Sequence, residues 1–282
     1  MNERRGLVLG GGGVTGIAWE TGLLLGLQEA GVDLTSADLV VGTSAGSVVG
    51  AQVTTGCSLA ELYERQLEPP HPGQPATIGP RVLAGFAWRM VRAQGDLEEF
   101  SRRLGAWAVD RAEAGRTPPL AERYDAIRER LPVLEWPTDG RLVVTAVDVE
   151  TGALRCFSGA DDVPLLDAVT ASCAVPGVYP PVPVDGRTYV DGGARSGSNA
   201  DLAASCTRVV ALTPVDRAVG PMRSAAQHLA GLHHVVVSPD ETSVAAIGRN
   251  VLDLARRAAS ARAGRMQAAV VAERISAVWG TP

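Results

Sequence analysis

Apolar runs of strand length alternate with longer amphipathic stretches through the first fifty residues of this chain. Leu7-Val8-Leu9 has the length of a buried strand. From Val14 to Ala30 the apolar residues Ile17, Leu24, Leu25 and Leu27 recur at near-helical spacing, and Gly31 is a natural stop just beyond them. Asp38-Leu39-Val40-Val41 is a second strand, and Ser47 to Val53 carries apolar residues with no turn signal before Gly56. The pattern predicts two parallel strand–helix units joined by a crossover.

The pattern changes after Gly56. Ser58 can cap a helix running to Leu67, with Glu61 at the capping-box position, and 68–80 is a loop rich in proline and glycine. Arg81 to Ala93 forms a helix with Leu83, Phe86 and Met90 on one side. Arg81, Arg89 and Arg92 fall on the other side, with Trp88 at the edge. Such a helix serves as a lid or lipid-surface element, or, more plainly, as a cap on the core. Leu97 to Ala108 and a start at Thr117-Pro118 add further helix. Strands return at 141–148 and 153–157 around the turn Glu150-Thr151-Gly152. A helix follows from Leu165 to Ala174, with buried strands at 208–212 and 234–237. Asp240 can cap a long helical stretch to Val278, broken near Gly248, whose Arg256, Arg257, Arg262 and Arg265 form a solvated face. These elements predict a three-layer α/β/α fold with a mostly parallel central sheet and a helical insert at about 58–131. No repeat or linker divides the chain, so 5–280 is expected to form a single domain.

The chemistry lies in the turns. Gly42-Thr43-Ser44-Ala45-Gly46 reads G-x-S-x-G where a strand gives way to a helix. On such a turn the serine is pushed out of the backbone, and its hydroxyl stands at a helix start that favours developing negative charge. Upstream, four glycines at 10–13 end the first strand, and Gly16 follows in the next helix. Successive N–H groups there converge as an anion cradle. Gly11-x-Gly13-x-x-Gly16 also satisfies the dinucleotide fingerprint, with Asp33 near the spacing of a ribose-binding acid. The other reading of the cradle is an oxyanion hole for an intermediate formed on Ser44.

A nucleophilic serine needs a base. The chain has four histidines: His71 in a His-Pro-Gly turn, His228, and His233-His234 at the start of a late strand. The last three could complete a Ser…Asp…His order, although none lies in a stretch that resembles a catalytic loop. Asp191, in Tyr189-Val190-Asp191-Gly192-Gly193, ends a short strand before two glycines. A buried carboxylate bonded to the serine can act as the base directly; alone, the same residues make an ordinary Asp-Gly turn.

Taken together, these stretches resemble the patatin-like phospholipase family. Gly11-Gly12-Gly13-Val14-Thr15-Gly16 is similar to its glycine-rich oxyanion motif, Gly42 to Gly46 to its nucleophile elbow, and Asp191-Gly192-Gly193 to its aspartate turn. The segment from Ala171 to Val182 resembles the one that precedes the aspartate in bacterial members. The resemblance runs from about residue 5 to 215. It implies a patatin-like fold and a serine-dependent lipid acyl hydrolase, of phospholipase A, lipase or esterase type. It also implies a Ser44–Asp191 dyad, an oxyanion hole at Gly11, Gly12 and Gly13, and no metal or cofactor. Many members carry a basic residue where this chain has Thr15, so neutral acylglycerols, simple esters and thioesters gain weight beside phospholipids.

Composition narrows the alternatives. The chain has 282 residues, 46% hydrophobic and 20% charged, enough apolar material to bury a large core. The formal charge of −5 argues against a nucleic-acid partner and against general attraction to anionic membranes, leaving at most transient contact with a lipid surface. Every basic residue is arginine. Cys57, Cys156, Cys173 and Cys206 lack paired C-x-x-C spacing and read as reduced, small core residues. No signal peptide or membrane-length apolar run is recognised, so a cytoplasmic protein is expected. A nucleotide-binding module and a catalytically idle lipid-binding protein remain the alternatives to an enzyme.

Overall fold

The computed structural model describes residues 3–69, 77–216 and 218–280. Within them β1 (Arg5–Leu9), β2 (Leu39–Thr43), β3 (Leu142–Asp148), β4 (Leu154–Ser158), β5 (Val182–Val184), β6 (Arg187–Asp191), β7 (Arg208–Leu212) and β8 (His233–Val237) share one sheet. The strand order is β5-β6-β3-β2-β1-β7-β8, with β4 also paired to β3. The β3–β2–β1–β7–β8 portion is parallel, whereas β4, β5 and β6 enter through antiparallel pairings. The parallel strands therefore end along one common edge, where ligands gather in open α/β sheets.

Apolar residues on successive strand positions serve opposite faces. Leu7, Leu9, Val40, Leu142 and Val144 join one core with α1 (Gly13–Glu29), α2 (Ala45–Thr54), α7 (Leu165–Ser172) and α10 (Arg257–Trp279). Val8, Val41, Val209 and Ala211 turn to the other face, beneath Ala200, Ala203, Ala225 and Leu229. Because α1 is buried along most of its length, its amphipathic pattern is weak. It lies tight against α10: a Cβ on Gly264 would strike the Trp19 carbonyl oxygen, and one on Gly22 the Ala261 carbonyl oxygen.

The helical insert is split between the layers. α3 (Leu59–Leu67) and α6 (Leu120–Arg128) place Leu62 and Ile127 in the first core. α5 (Leu97–Glu113) crosses to the other face, where Phe100 and Leu104 pack on Val147 and Val190. α4 (Pro80–Arg92) lies outside α5, joined to it by an edge-on Phe86–Trp107 contact. The expected sides of α4 need correction. Leu83 is 56% exposed, whereas Arg89 turns inward over the Trp107 ring and donates to the Gly85 and Arg103 carbonyls. An aromatic face and two carbonyl acceptors hold a guanidinium better than a water-facing position does.

Other elements follow the sequence pattern with small shifts. Ser58 and Asp240 cap α3 and α9 (Glu241–Ile247), and Gly248, with φ of 72°, ends α9. The short α8 (Ala225–His228) and β5 were not foreseen. The arginines of the C-terminal stretch are not merely solvated: Arg265 pairs with Glu29, and Arg257 donates to Gln66. His71 and part of the expected 68–80 loop lie outside the described residues. No helix among the described residues is long and apolar enough to cross a membrane.

Candidate active site

Ser44 sits between β2 and α2 with φ of 52° and ψ of −115°, a conformation rare for a residue with a side chain. Packing beneath the turn enforces it. A Cβ on Gly46 would collide with the Leu9 carbonyl, and one on Gly42 would lie 2.7 Å from the Gly46 oxygen. Gly46 N–H also donates to the Gly10 carbonyl, which ties the elbow to the glycine loop.

Strand β3 brings Asp191 to this turn. Thr145 pairs with Thr43 on one side and with Cys156 of β4 on the other, so β2 and β4 occupy opposite edges of β3. Ala146 pairs with Arg155 of β4 and with Asp191, which puts β6 on the β2 edge, immediately beyond the end of β2. β6 runs antiparallel to β3, so its last residue meets the end of β2 head-on. The Ser44 side chain adjoins the Asp191 carboxyl and favours its ionised form, and Asp191 Oδ1 accepts the Gly193 N–H at 2.7 Å. A Cβ on Gly192 would crowd the Thr145 carbonyl oxygen at 2.8 Å.

Both side chains are nearly enclosed: Ser44 is 7% exposed and Asp191 4%. Burial raises the Asp191 pKa to about 6, opposed by the neighbouring Ser44 side chain, the Gly193 N–H and the positive charge of Arg123. A carboxylate of that basicity is suited to accept a proton near neutral pH.

The glycine loop lies beside the serine. A Cβ on Gly11 would touch Ser44 Cβ at 3.5 Å. Of the three expected oxyanion donors, Gly11 is corrected: its N–H is spent on the Gly197 carbonyl at 2.7 Å. Gly12 and Gly13, at the start of α1, have N–H groups with no acceptor among the described residues. Gly16 packs the first turn of α1 against Pro214 and Ala45. Thr15 is fully buried, and its hydroxyl points to the Gly12 and Val251 carbonyls, so it pins the loop and contributes no charge.

The competing assignments separate by position. His233 and His234 begin β8, at the sheet edge opposite Ser44. His228 Nδ1 lies 3.2 Å from the Asp201 carboxylate, within a different cluster. Asp33 caps a short turn before β2, again at the opposite edge, and accepts from Thr35. The position after β2 where a ribose-binding acid would stand is taken by the serine turn.

Ser172 and Cys173 lie in a stretch that the sequence marks without a role, and Asn199, Arg123 and Glu20 carry no signal there. Ser172 Oγ accepts the Ser44 N–H at 2.9 Å, and the Cys173 thiol donates to the Ser44 carbonyl at 3.3 Å. Asn199, fully buried with φ of 49°, directs its amide nitrogen at Thr43 Oγ1, Thr145 Oγ1 and the Gly192 carbonyl. It locks together the ends of β2, β3 and the Asp191 turn. Arg123 comes from α6 and reaches the Cys173 carbonyl and the Tyr179 ring. Glu20 is fully buried beneath the loop with both oxygens unpartnered, and burial raises its pKa well above the usual value. The Gly10 N–H nearby opposes that rise, but its hydrogen bond goes to Leu212 O. Only an assembled chain brings these residues, from four different segments, together.

The family model described as patatin-like phospholipase matches residues 7–204. The chain belongs to this family. The match takes in the glycine loop, the Ser44 elbow and the Asp191 turn. Among curated proteins, lysophospholipase NTE1 of Yarrowia lipolytica is 30% identical over 186 residues, which is 51% of this chain and 12% of that protein. Lysophospholipase nte1 of Aspergillus oryzae is 43% identical over 60 residues, 21% of this chain and 4% of that protein. The chain thus spans a small fraction of the length of these relatives. Among solved structures, VipD from Legionella pneumophila aligns with a TM-score of 0.45 and 13% identity, over 97% of this chain and 67% of that one.

Proposed function

We propose that this patatin-like protein is a serine-dependent lipid acyl hydrolase in which Ser44 and Asp191 form a histidine-free dyad, with residues 5–280 acting as one unit. The observation that carries this reading is the burial of Ser44, at a strained strand–helix turn, beside the Asp191 carboxyl that β3 holds next to the end of β2. Lysophospholipases among the relatives support an acyl ester as substrate.

Asp191 accepts the Ser44 proton as Oγ attacks the acyl carbonyl. The Gly12 and Gly13 N–H groups, with the start of α1 behind them, stabilise the oxyanion. Collapse of the tetrahedral species expels the alcohol, which takes the proton from Asp191 and leaves an acyl-serine. Water then attacks the acyl group and gives its proton to Asp191. The second collapse releases the fatty acid and returns the proton to Ser44. The fixed donors at 12 and 13 accommodate a carbonyl irrespective of head group, and Thr15 adds no charge to select a phosphate.

Fluorophosphonate labelling of wild type, Ser44→Ala and Asp191→Asn tests the assignment, followed by turnover of p-nitrophenyl esters, acylglycerols and phospholipids. Labelling and turnover that vanish in Ser44→Ala are expected. Wild-type protein that neither labels nor turns over any ester would sink the enzyme reading.

A further inference from the structure

Helix α4 is apolar on both sides. Val82, Phe86 and Met90 turn inward, with Phe86 against Trp107 and Met90 beside Gly220. The outer face presents Leu83, Trp88 and Val91, which are 56%, 55% and 76% exposed. Ala84 and Ala87 lie between them and are also exposed, so the stripe is continuous. A surface helix of a globular chain normally keeps its outer face polar; a continuous apolar stripe there calls for a cover. Large exposed apolar side chains are few among the described residues, and these three share one helix, with a fourth, Val219, in the loop that packs beside it. Such a concentration marks an interaction surface.

The charges indicate what covers it. Arg81 and Arg92 line one margin of the stripe, and α4 carries no acidic residue. Arg92 also lies 5.3 Å from the Trp88 ring. This local excess of positive charge stands against a chain of net charge −5. Tryptophan at the boundary and arginine reaching past an apolar stripe suit the interface of a bilayer, where rings sit at headgroup depth and guanidinium groups meet phosphates. A second copy fits poorly. A two-fold contact through this face would bring arginines of both copies together with no acid on the helix to pair them.

The helix is also placed to serve the buried serine. Its neighbour Trp107 packs under Gly177, the Arg111 guanidinium donates to the Gly177 carbonyl at 2.9 Å, and that loop begins at Cys173, which touches Ser44.

We propose that the outer face of α4, through Leu83, Trp88 and Val91 with Arg81 and Arg92 at its margin, docks this protein on an anionic lipid surface. As a route to substrate this builds on the hydrolase reading, but the docking itself is measured without catalysis.

The experiment is flotation of the full chain carrying Ser44→Ala with vesicles of phosphatidylcholine, alone or mixed equally with phosphatidylglycerol. Binding is expected to favour the mixed vesicles and to weaken with salt. Val91→Asp should reduce it by about tenfold or more on both vesicle types. Joint Arg81→Gln and Arg92→Gln should reduce it by about thirtyfold on mixed vesicles and little on the neutral ones. The same α4 changes in the Ser44 protein should leave melting temperature and turnover of a water-soluble ester unchanged; Leu83→Gln replaces Val91→Asp if that variant melts early. Equal flotation of all variants, or no flotation at all, would overturn the proposal. So would a solution dimer that Val91→Asp dissociates, because a second copy would then cover the face. Flotation that depends on α4 in a protein without ester turnover would leave the docking standing and the hydrolase reading rejected.

Discussion

Thr43 and Asp191 are consecutive neighbours along one edge of β3, paired with Thr145 and Ala146 respectively. The residue after Thr43 is Ser44, so the sheet itself sets the distance between Ser44 and Asp191. Asn199 closes the junction by bonding both threonine hydroxyls and the Gly192 carbonyl. Asn199→Ala should cost about 2–3 kcal/mol of stability, because buried acceptors lose their donor and the left-handed backbone loses a tolerant residue. It should lower kcat more than it raises KM. Denaturant unfolding and steady-state kinetics on one ester check both effects.

Asp191 must be ionised to accept a proton. With its pKa raised to about 6, activity should climb with pH through that value and level off above it. Arg123 holds this pKa down, so Arg123→Gln should move the acid limb to higher pH, and Arg123→Lys should move it less. The limb is read from kcat/KM against pH. A limb that stays in place in Arg123→Gln would remove Arg123 from the electrostatics of the site.

The buried carboxyls also weaken the fold as pH rises. Between 3.8 and about 6 the folded chain keeps a proton on Asp191 that the unfolded chain has lost, so stability falls as pH rises through this window. Asp191→Asn escapes that loss. It should be inactive yet more stable than wild type above pH 6, by up to about 3 kcal/mol. Melting temperatures of the two proteins from pH 4 to 8 should diverge upward.

Glu20 should act in the same sense. Its raised pKa means stability is full at low pH and is lost as pH rises above the ordinary glutamate value. Glu20→Gln keeps the shape of the neutral acid, so the gap in melting temperature from wild type should widen with pH while ester turnover at pH 7 is retained. A gap constant with pH would mean that Glu20 is ionised in the folded chain.

The elbow tolerates no added carbon. Gly46→Ala drives a methyl group into the Leu9 carbonyl and should destabilise the fold by about 2–3 kcal/mol, with loss of fluorophosphonate labelling. Gly31→Ala, at a positive φ of 82° with nothing nearby to strike, is the control: it should cost about 1 kcal/mol and leave labelling intact.

The legible part of the site was the part written in contiguous residues. The glycine run, the strand–Gly-Thr-Ser-Ala-Gly–helix unit and the Asp-Gly-Gly turn each carry their conformation locally, and parallel crossovers place them at one sheet edge. Periodicity likewise revealed the alternating strands and helices, although β5 and α8, three and four residues long, are too short to show a period. The sides of α4 were misread because the inward turn of Arg89 depends on Trp107 and on the Arg103 carbonyl, which lie on another helix.

The sequence by itself determined the fold class, because strand length, helical period and glycine turns are local consequences of backbone sterics, and its resemblance to the family singled out Ser44 and Asp191 as candidates. Only the tertiary structure decided which N–H groups stay open, since Gly11 is claimed by Gly197 from far along the chain. It also decided that Thr15 is a structural pin, that the described histidines lie elsewhere, and that Arg123 and Asn199 flank the Ser44 and Asp191 turns. Hydrogen-bond partners and desolvation depend on what distant segments bring alongside.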